Sequence, residues 1–435
     1  MDILTIGWLG FVALFVFVLL GMRVAFAAAL VGFLGIWMVK DISVAARVVG
    51  FTPYEGVATY SLSVIPLFIL MGYLALNSGV TKDIYFVGRQ WFGHLSAGLG
   101  IATVFGSALF GACTGSSVAA AVMIGKIAIP EMKKYGYQPR FAAATVAASG
   151  TLASLIPPSI TLVVYGMITS QSISALLIAG IIPGVVSAIV YSVMIWTRVK
   201  ISPGLCQRLP NVSWKDKFSS LKKSWGVLCI LIIIIGGLYF GIFTPTEAGG
   251  AGAFATFLMA LGMRNLSIPE LRKALLETAQ NSIMIFVLIF GFLIFIRFLA
   301  LTRVPYSFAE FVNGLQVSRL FIMLGILAIY FFLGMFVNTI PMLMMTLPVI
   351  FPMVVALGYD PIWFGIIITM LCDIGLLTPP VGMNVYVVYS VAPDIPIEDI
   401  FKASIPFVIT QFFVIALLFI FPEIATFLPG KMARF

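Results

Sequence analysis

The sequence predicts an all-α polytopic membrane protein made of two copies of one unit inserted in opposite senses. Three observations predict this. The 435 residues are 61% hydrophobic and only 9% charged, where soluble domains carry about 25% charge, and the mean hydropathy is +1.14. Apolar runs of the roughly 20 residues that one helical crossing needs recur from Leu4 to Leu428, whereas a transmembrane β-barrel would show short alternating segments. A pattern also occurs twice, as "IPEMKKYGYQPRF…LIPPS" and "FPMVVALGYDPIWF…LTPPV".

The repeat has a constant register. Pro130 matches Pro352, Gly136–Tyr137 matches Gly358–Tyr359, Pro139 matches Pro361, and Pro157–Pro158 matches Pro379–Pro380, with 222 residues between the members of every pair. The same register lays Ser116–Ser117 over Asn338–Thr339 and the span at 4–22 over 226–244. The chain therefore divides into a first repeat at 1–197, a basic linker at 198–224 and a second repeat at 225–435. "AFA" at 25–27 imitates a signal-peptidase site, but no basic segment precedes it and the chain stays apolar beyond it, so the first run is expected to remain as a span.

Loop charges set the orientation. The first-copy loop carries Lys133, Lys134 and Arg140, while its second-copy equivalent carries Asp360. Basic loops prefer the cytoplasmic side, so the copies lie in opposite senses. The linker, with Arg198, Lys200, Arg208, Lys215, Lys217, Lys222 and Lys223, and the loop with Arg264, Arg272 and Lys273 fall on the cytoplasmic side. The acidic "APDIPIEDI" loop and the C-terminal Lys431 and Arg434 fit this bias less well.

Several function classes drop out. The net charge of +9 sits in loops between spans, which records membrane orientation and not a nucleic-acid footprint. Cys113, Cys206, Cys229 and Cys372 show no CxxC spacing and read as small buried residues. One histidine, His94, leaves little material for His-ligated metals or catalytic triads. No P-loop motif occurs. Such a chain is expected to move a solute, not to react with it: it is not an enzyme and needs no organic cofactor.

Each copy contains a segment too short to cross twice and too long to cross once. Residues 97–132 are interrupted at 111–118 by "GACTGSSV". Each arm of about 15 residues spans roughly 22 Å, short of a core of about 30 Å, so a re-entrant hairpin is expected. Its second-copy counterpart covers 319–352, with Val337–Asn338–Thr339 at the tip. After each hairpin comes a full-length span, 141–168 or 362–391, split by the double proline. Proline removes a backbone donor and breaks the helix. Irregular backbone at that depth survives only where it is enclosed or lines a cavity. Exposed carbonyls suit a cation and half-helix N-termini suit an anion. Inverted repeats with interrupted helices mark secondary transporters.

At these residues the chain resembles the large membrane subunit of a TRAP (tripartite ATP-independent periplasmic) transporter, within the wider ion-transporter superfamily. The similarity covers essentially the whole chain and is strongest in "FGACTGSSVAAAVMIGKIAIPEMKKYGYQPRFAAATVAASGTLASLIPPS" and "GYDPIWFGIIITMLCDIGLLTPPVGMNVYVV". The resemblance implies Na⁺-driven import of an organic acid across the inner membrane, by an elevator-like movement of a transport domain against a scaffold. It also implies two partners, a small membrane subunit of about four spans and a soluble periplasmic substrate-binding protein. Asn338 stands where many relatives carry Asp, which alters the charge at the second site.

Laid on this sequence, one Na⁺ site is expected from Gly115, Ser116, Ser117, Gly150, Thr151 and Pro157. The other is expected from Asn338, Thr339, Asp373, Thr378 and Gly382. Substrate is expected between the tips, against Ser116, Ser159, Asn338 and Asn384. Asp373 is the sharpest of these, since a carboxylate at span depth is costly and functional by default. For any single Ser or Thr the competing reading is a hydroxyl bonded back to its own helix. Arg297 is expected to snorkel to a membrane surface, Glu247 to start a helix, and Lys126 to sit on a hairpin arm. The linker reads as an amphipathic surface helix or as a solvated connector. Two rival functions remain at this stage, a stand-alone Na⁺-coupled anion symporter and a passive channel.

Overall fold

The structure is a computed structural model that describes residues 2–207, 210, 212–263, 266–314 and 317–432, the side chains of Val57, Lys223 and Asn313 excepted. Arg208, Arg264, Arg434 and the Lys223 side chain, used above for orientation, lie outside the described residues. All regular structure among the described residues is helical.

The first copy comprises α1 (Ile3–Leu19), α2 (Val24–Val39), α3 (Ile42–Ala58), α4 (Val64–Asn77), α5 (Val80–Phe92), α6 (Gly98–Thr114), α7 (Ser117–Lys134), α8 (Pro139–Gly150), α9 (Ile160–Thr169), α10 (Ile173–Ala179) and α11 (Ile181–Ile201). Next come α12 (Trp214–Leu231) and α13 (Gly237–Tyr239), joined by a π-helical turn at Ile232–Gly236. The second copy continues with α14 (Pro245–Gly262), α15 (Ile268–Leu301), α16 (Val304–Gly314), α17 (Arg319–Gly334), α18 (Thr339–Ala356), α19 (Pro361–Gly375), α20 (Met383–Val391), α21 (Ile397–Ile420) and α22 (Glu423–Lys431).

The sequence register carries into the fold. α7 starts at Ser117 and α18 at Thr339, α8 at Pro139 and α19 at Pro361, each pair 222 residues apart. Proline at the first helical position is suited to both starts, because its missing N–H would have no partner there. One counterpart differs. α15 is a continuous helix of 34 residues, about 51 Å long, but its first-copy equivalent is divided into α3 and α4 by a 3₁₀ turn at Tyr60–Ser63. Pro66, just inside α4, cannot donate to Leu62 and crowds its carbonyl, which weakens the helical ladder at this break.

The two copies are antiparallel. The Tyr165 hydroxyl, from the second half of α9, donates to the Pro361 carbonyl at the start of α19 (2.6 Å). At the opposite end, Lys133 in the last turn of α7 pairs with Asp394 after α20. Asp394 and Pro396 also share a cleft with Gln138 and Arg140 at the start of α8. The α8–α9 path and the α19–α20 path therefore run in opposite directions.

Two helical layers result. In one, α15 packs along α2, α3 and α4, and α14 packs on α4. The other holds both hairpins, α6–α7 and α17–α18, wrapped on α8 and α19 with α11 and α21 behind. Residues 141–150 of α8 are all buried, as are 363–375 of α19. The run "FAAATVAASG" explains the first case, since small side chains let backbones approach where lipid supplies no hydrophobic drive between helices.

Two expectations change here. α12 is bent by 61° between Trp214–Lys222 and Ser224–Tyr239, at the expected end of the linker, whose front boundary falls inside α11. Arg297 does not simply snorkel; its guanidinium pairs with Glu55 of α3, which neutralises a charge on the α3–α15 seam. The second hairpin arm extends to Ala356. Glu247 opens α14 through a reciprocal capping box with Thr244, and hydrogen bonds from the Thr244 backbone and side chain hold its carboxyl below the usual range.

Candidate functional site: a cavity between two hairpin tips

The first tip is built by a glycine. α6 stops at Thr114, Gly115 takes a left-handed φ of +61°, and Ser116 caps α7 by accepting from the Ala119 amide at 3.4 Å. Gly115 lies directly against the Pro158 carbonyl, leaving no room for a Cβ. On the facing segment α8 gives way to a 3₁₀ turn at Thr151–Ser154, then a cis Pro157–Pro158 peptide, and Ser159 caps α9 by accepting from Leu162 at 3.2 Å. A Cβ on Gly150 would sit 3.0 Å from the Ser117 carbonyl. The tip residues Gly115 and Ser117 are thus brought onto the break at Gly150 and Pro158. The Thr151 hydroxyl bonds back to Ala148 (2.7 Å).

The second tip uses different chemistry for the same contact. α17 stops at Gly334, and Asn338 precedes α18 without a side-chain cap. Gly375 at the end of α19 meets the Gly334 backbone, and the Val381 amide donates to the Met335 carbonyl at 3.3 Å. Pro379–Pro380 is cis, and Gly382 at φ +56° leads into α20. The Asn338 amide lies 3.5 Å from the Met383 sulfur. Thr339 is buried, and the Thr378 hydroxyl is directed at the Ile374 and Gly375 carbonyls (3.1 and 3.2 Å). Pro157–Pro158 is buried, whereas Pro379–Pro380 and Val381 are exposed.

Asp373 does not turn toward the second tip. Its carboxylate, 1% exposed, accepts a hydrogen bond from the Ser154 hydroxyl of the first break. Among the described residues its Oδ1 has no partner. Asn384 is fully buried, donates to the Ala147 carbonyl of α8 at 3.3 Å, and leaves its Oδ1 without a partner. Ser159 is also buried and bonds to the Ser154 carbonyl. Asp373 and Asn384 therefore join the two broken helices to each other, while Ser159 bonds within the first. Buried acceptors without donors are uncommon and costly, so the two orphan oxygens mark the junction as a place for a cation or an ordered water.

Between the tips lies a cavity of about 280 Å³. Of the four residues expected to contact substrate, Ser116 and Asn338 line it; Ser159 and Asn384 do not. No lining residue is charged, yet the first turns of four helices open onto it: Ser117–Ala119 of α7, Ile160–Thr161 of α9, Thr339–Ile340 of α18 and Met383 of α20. A helix N-terminus presents unpaired amides and roughly half a positive charge, so this wall favours an anion.

The other wall was not foreseen from the sequence. It comes from α4 and α15, where the Asn281 amide donates to the Tyr73 hydroxyl at 2.8 Å. Ser154, the partner of Asp373, was missed too. The register lays Tyr73 over Phe295 and Asn281 over Thr59, so neither side chain is repeated in the other copy. The signals are a phenol in the apolar run of α4 and the polar cluster Gln280, Asn281 and Ser282 in α15.

Paired re-entrant hairpins and oppositely directed broken helices around a shared cavity define a multi-pass membrane transport protein. The family described as "Tripartite ATP-independent periplasmic transporter, DctM component" matches residues 11–424, and the chain belongs to it. It is 35% identical over 381 residues to the C4-dicarboxylate TRAP transporter large permease protein DctM of Pseudomonas aeruginosa, covering 87% of this chain and 86% of that one. It is 32% identical over 424 residues to the sialic acid TRAP transporter large permease protein SiaM of Vibrio cholerae, covering 97% of each. The crystal structure of the Alcanivorax borkumensis YdaH transporter shares the fold, with a TM-score of 0.62 at 14% identity, over 88% of this chain and 90% of that one.

Proposed function

We propose that this chain is the translocating subunit of a Na⁺-coupled importer of an organic acid anion in the bacterial or archaeal inner membrane. Its proposed partners are a small membrane subunit and a periplasmic binding protein that delivers the substrate. The observation that carries the reading is the uncharged cavity between the hairpin tips, onto which four helix N-termini open. The carboxylate sits there, against the first-turn amides and the Ser116 and Asn338 side chains.

Sodium takes the C-terminal ends of α8 and α19, the half-helices that precede the breaks. The carbonyls freed at 150–157 and 374–382, with Gly115, Ser117, Thr339 and Thr378, offer oxygens without a counter-charge. Asp373 supplies one carboxylate at the junction. The related permeases named for C4-dicarboxylates and sialic acid support carriage of organic acids. Movement of the hairpin layer against the α4–α15 layer exposes the cavity to each side in turn. Each net charge moved inward gains about 2.3 kcal/mol per 100 mV, so a second Na⁺ per monoanion adds an electrical drive.

The test is reconstitution of this chain with its small subunit in liposomes, with the binding protein and its labelled ligand outside. Uptake is expected only with the binding protein present and an inward Na⁺ gradient. Uptake without the soluble component would establish a stand-alone symporter. Flux indifferent to the Na⁺ gradient would establish a channel.

A further inference from the structure

The cavity has two walls of different chemistry. The hairpin wall offers helix N-termini, suited to one carboxylate. The α4–α15 wall carries Ile69, Leu76, Met284 and Ile285 around a single polar pair, Tyr73 and Asn281. That pair has a defined polarity. Asn281 Nδ2 donates both to the Tyr73 hydroxyl (2.8 Å) and to the Glu277 carbonyl one turn back (2.9 Å). A flipped amide would set its oxygen against the Glu277 carbonyl, so the orientation is determined. Both amide protons are thereby used. Tyr73 accepts from Asn281, which leaves its own proton to donate, and Asn281 Oδ1 remains as an acceptor.

We infer that this wall selects monoanionic acids whose far end bears a neutral hydroxyl or amide, and disfavours dicarboxylates. A hydroxyl can accept from the Tyr73 O–H and donate to Asn281 Oδ1, satisfying both groups. A second carboxylate finds one donor, one opposing acceptor, no cation and an apolar surround. Burying a charge without a partner is far costlier than burying a satisfied hydroxyl. The inference rests on the reading of the cavity as the anion site and adds to it the class of substrate. Tyr73 and Asn281 are the specificity determinants. They also lie on the layer opposite the tips, so they contact substrate only while the two layers face each other as they do here.

Matched probes isolate the far end of the ligand. Succinate and 4-hydroxybutyrate differ only in a carboxylate against a hydroxymethyl group. Each is titrated against the purified full chain in Na⁺ buffer, and the rise in melting temperature is read as binding by mass action. The hydroxy acid is expected to bind at least about tenfold more tightly than succinate. Tyr73→Phe is expected to weaken 4-hydroxybutyrate by about 3- to 10-fold, the worth of one neutral hydrogen bond, and to leave butyrate unchanged. Asn281→Leu is expected to act likewise. Succinate binding as tightly as 4-hydroxybutyrate, or Tyr73→Phe weakening both hydroxy acid and butyrate equally, overturns the selectivity while leaving the anion site standing. If none of the three acids shifts the melting temperature, the anion site itself fails and the inference falls with it.

Discussion

The Ser154 hydroxyl donates to the Asp373 carboxylate across the junction of the two repeats. One group stands on the first broken helix and the other on the second. The repeat register pairs Asp373 with Thr151 and Ser154 with Leu376, so the contact has no symmetric twin. The proposed ion chemistry is therefore unequal between the copies.

Asp373→Asn keeps the shape of the side chain and removes its charge. The Na⁺ dependence of melting temperature and of uptake is expected to flatten, with half-saturation rising about tenfold or more. An unchanged Na⁺ titration would take Asp373 out of ion binding. Ser154→Ala is expected to destabilise the Na⁺-free protein by about 1–3 kcal/mol, the cost of leaving a buried polar group without its partner.

Gly115 combines a left-handed φ with direct contact against the Pro158 carbonyl. Gly115→Ala is expected to cost at least about 1–2 kcal/mol from backbone conformation alone, seen as a lowered melting temperature and slowed uptake. Gly250 in α14 faces open space, so Gly250→Ala is expected to be neutral or to stabilise the helix slightly. Equal effects at the two positions would show that the tip–break contact is not a close one.

Asn338 lines the cavity and carries no charge. Asn338→Asp sets a carboxylate beside the proposed anion. A repulsion of about 1–2 kcal/mol, reduced by solvent at this exposed tip, is expected to raise the substrate KM roughly tenfold. Half-saturating Na⁺ is expected to fall. Initial-rate uptake at varied substrate and Na⁺ measures both, and an unchanged KM would place the anion elsewhere.

Lys133 and Asp394 close one end of the junction between the repeats. The hydrogen bond from Lys133 and its charge hold the Asp394 carboxyl below its usual range. A depressed carboxyl contributes stability above its unfolded pKa, about 3.9, and loses it as pH falls through the lower folded value. Melting curves of the wild type and Asp394→Asn are expected to differ by a constant offset from pH 5 to 8 and to converge below about pH 4. An offset that persists in acid would mean the ion pair contributes nothing.

Much of this architecture can be read along the chain. The double prolines, the Gly-Tyr pairs and the register of 222 residues locate both hairpins and both broken helices, because backbone interruptions depend on local chemistry: proline lacks a donor wherever it stands. Opposite insertion also follows from loop charge, and the pairing of Tyr165 with Pro361 expresses it in space. Fold class and transport role are consequences of composition and repetition, both of which are linear properties.

Contacts between distant residues are not linear properties. The resemblance groups Asp373 with the second tip, and nothing along the chain shows that its carboxylate meets Ser154, 219 residues away in sequence. Ser159 and Asn384 lie close in sequence to the tips or breaks but point into the junction. Arg297 meets Glu55, and Asn281 meets Tyr73, across 242 and 208 residues. Each of these depends on how two helices cross and rotate about their axes. Packing sets that rotation, and a helix with small or apolar residues on every face, such as α8 or α19, carries no periodic mark of which side will meet which neighbour.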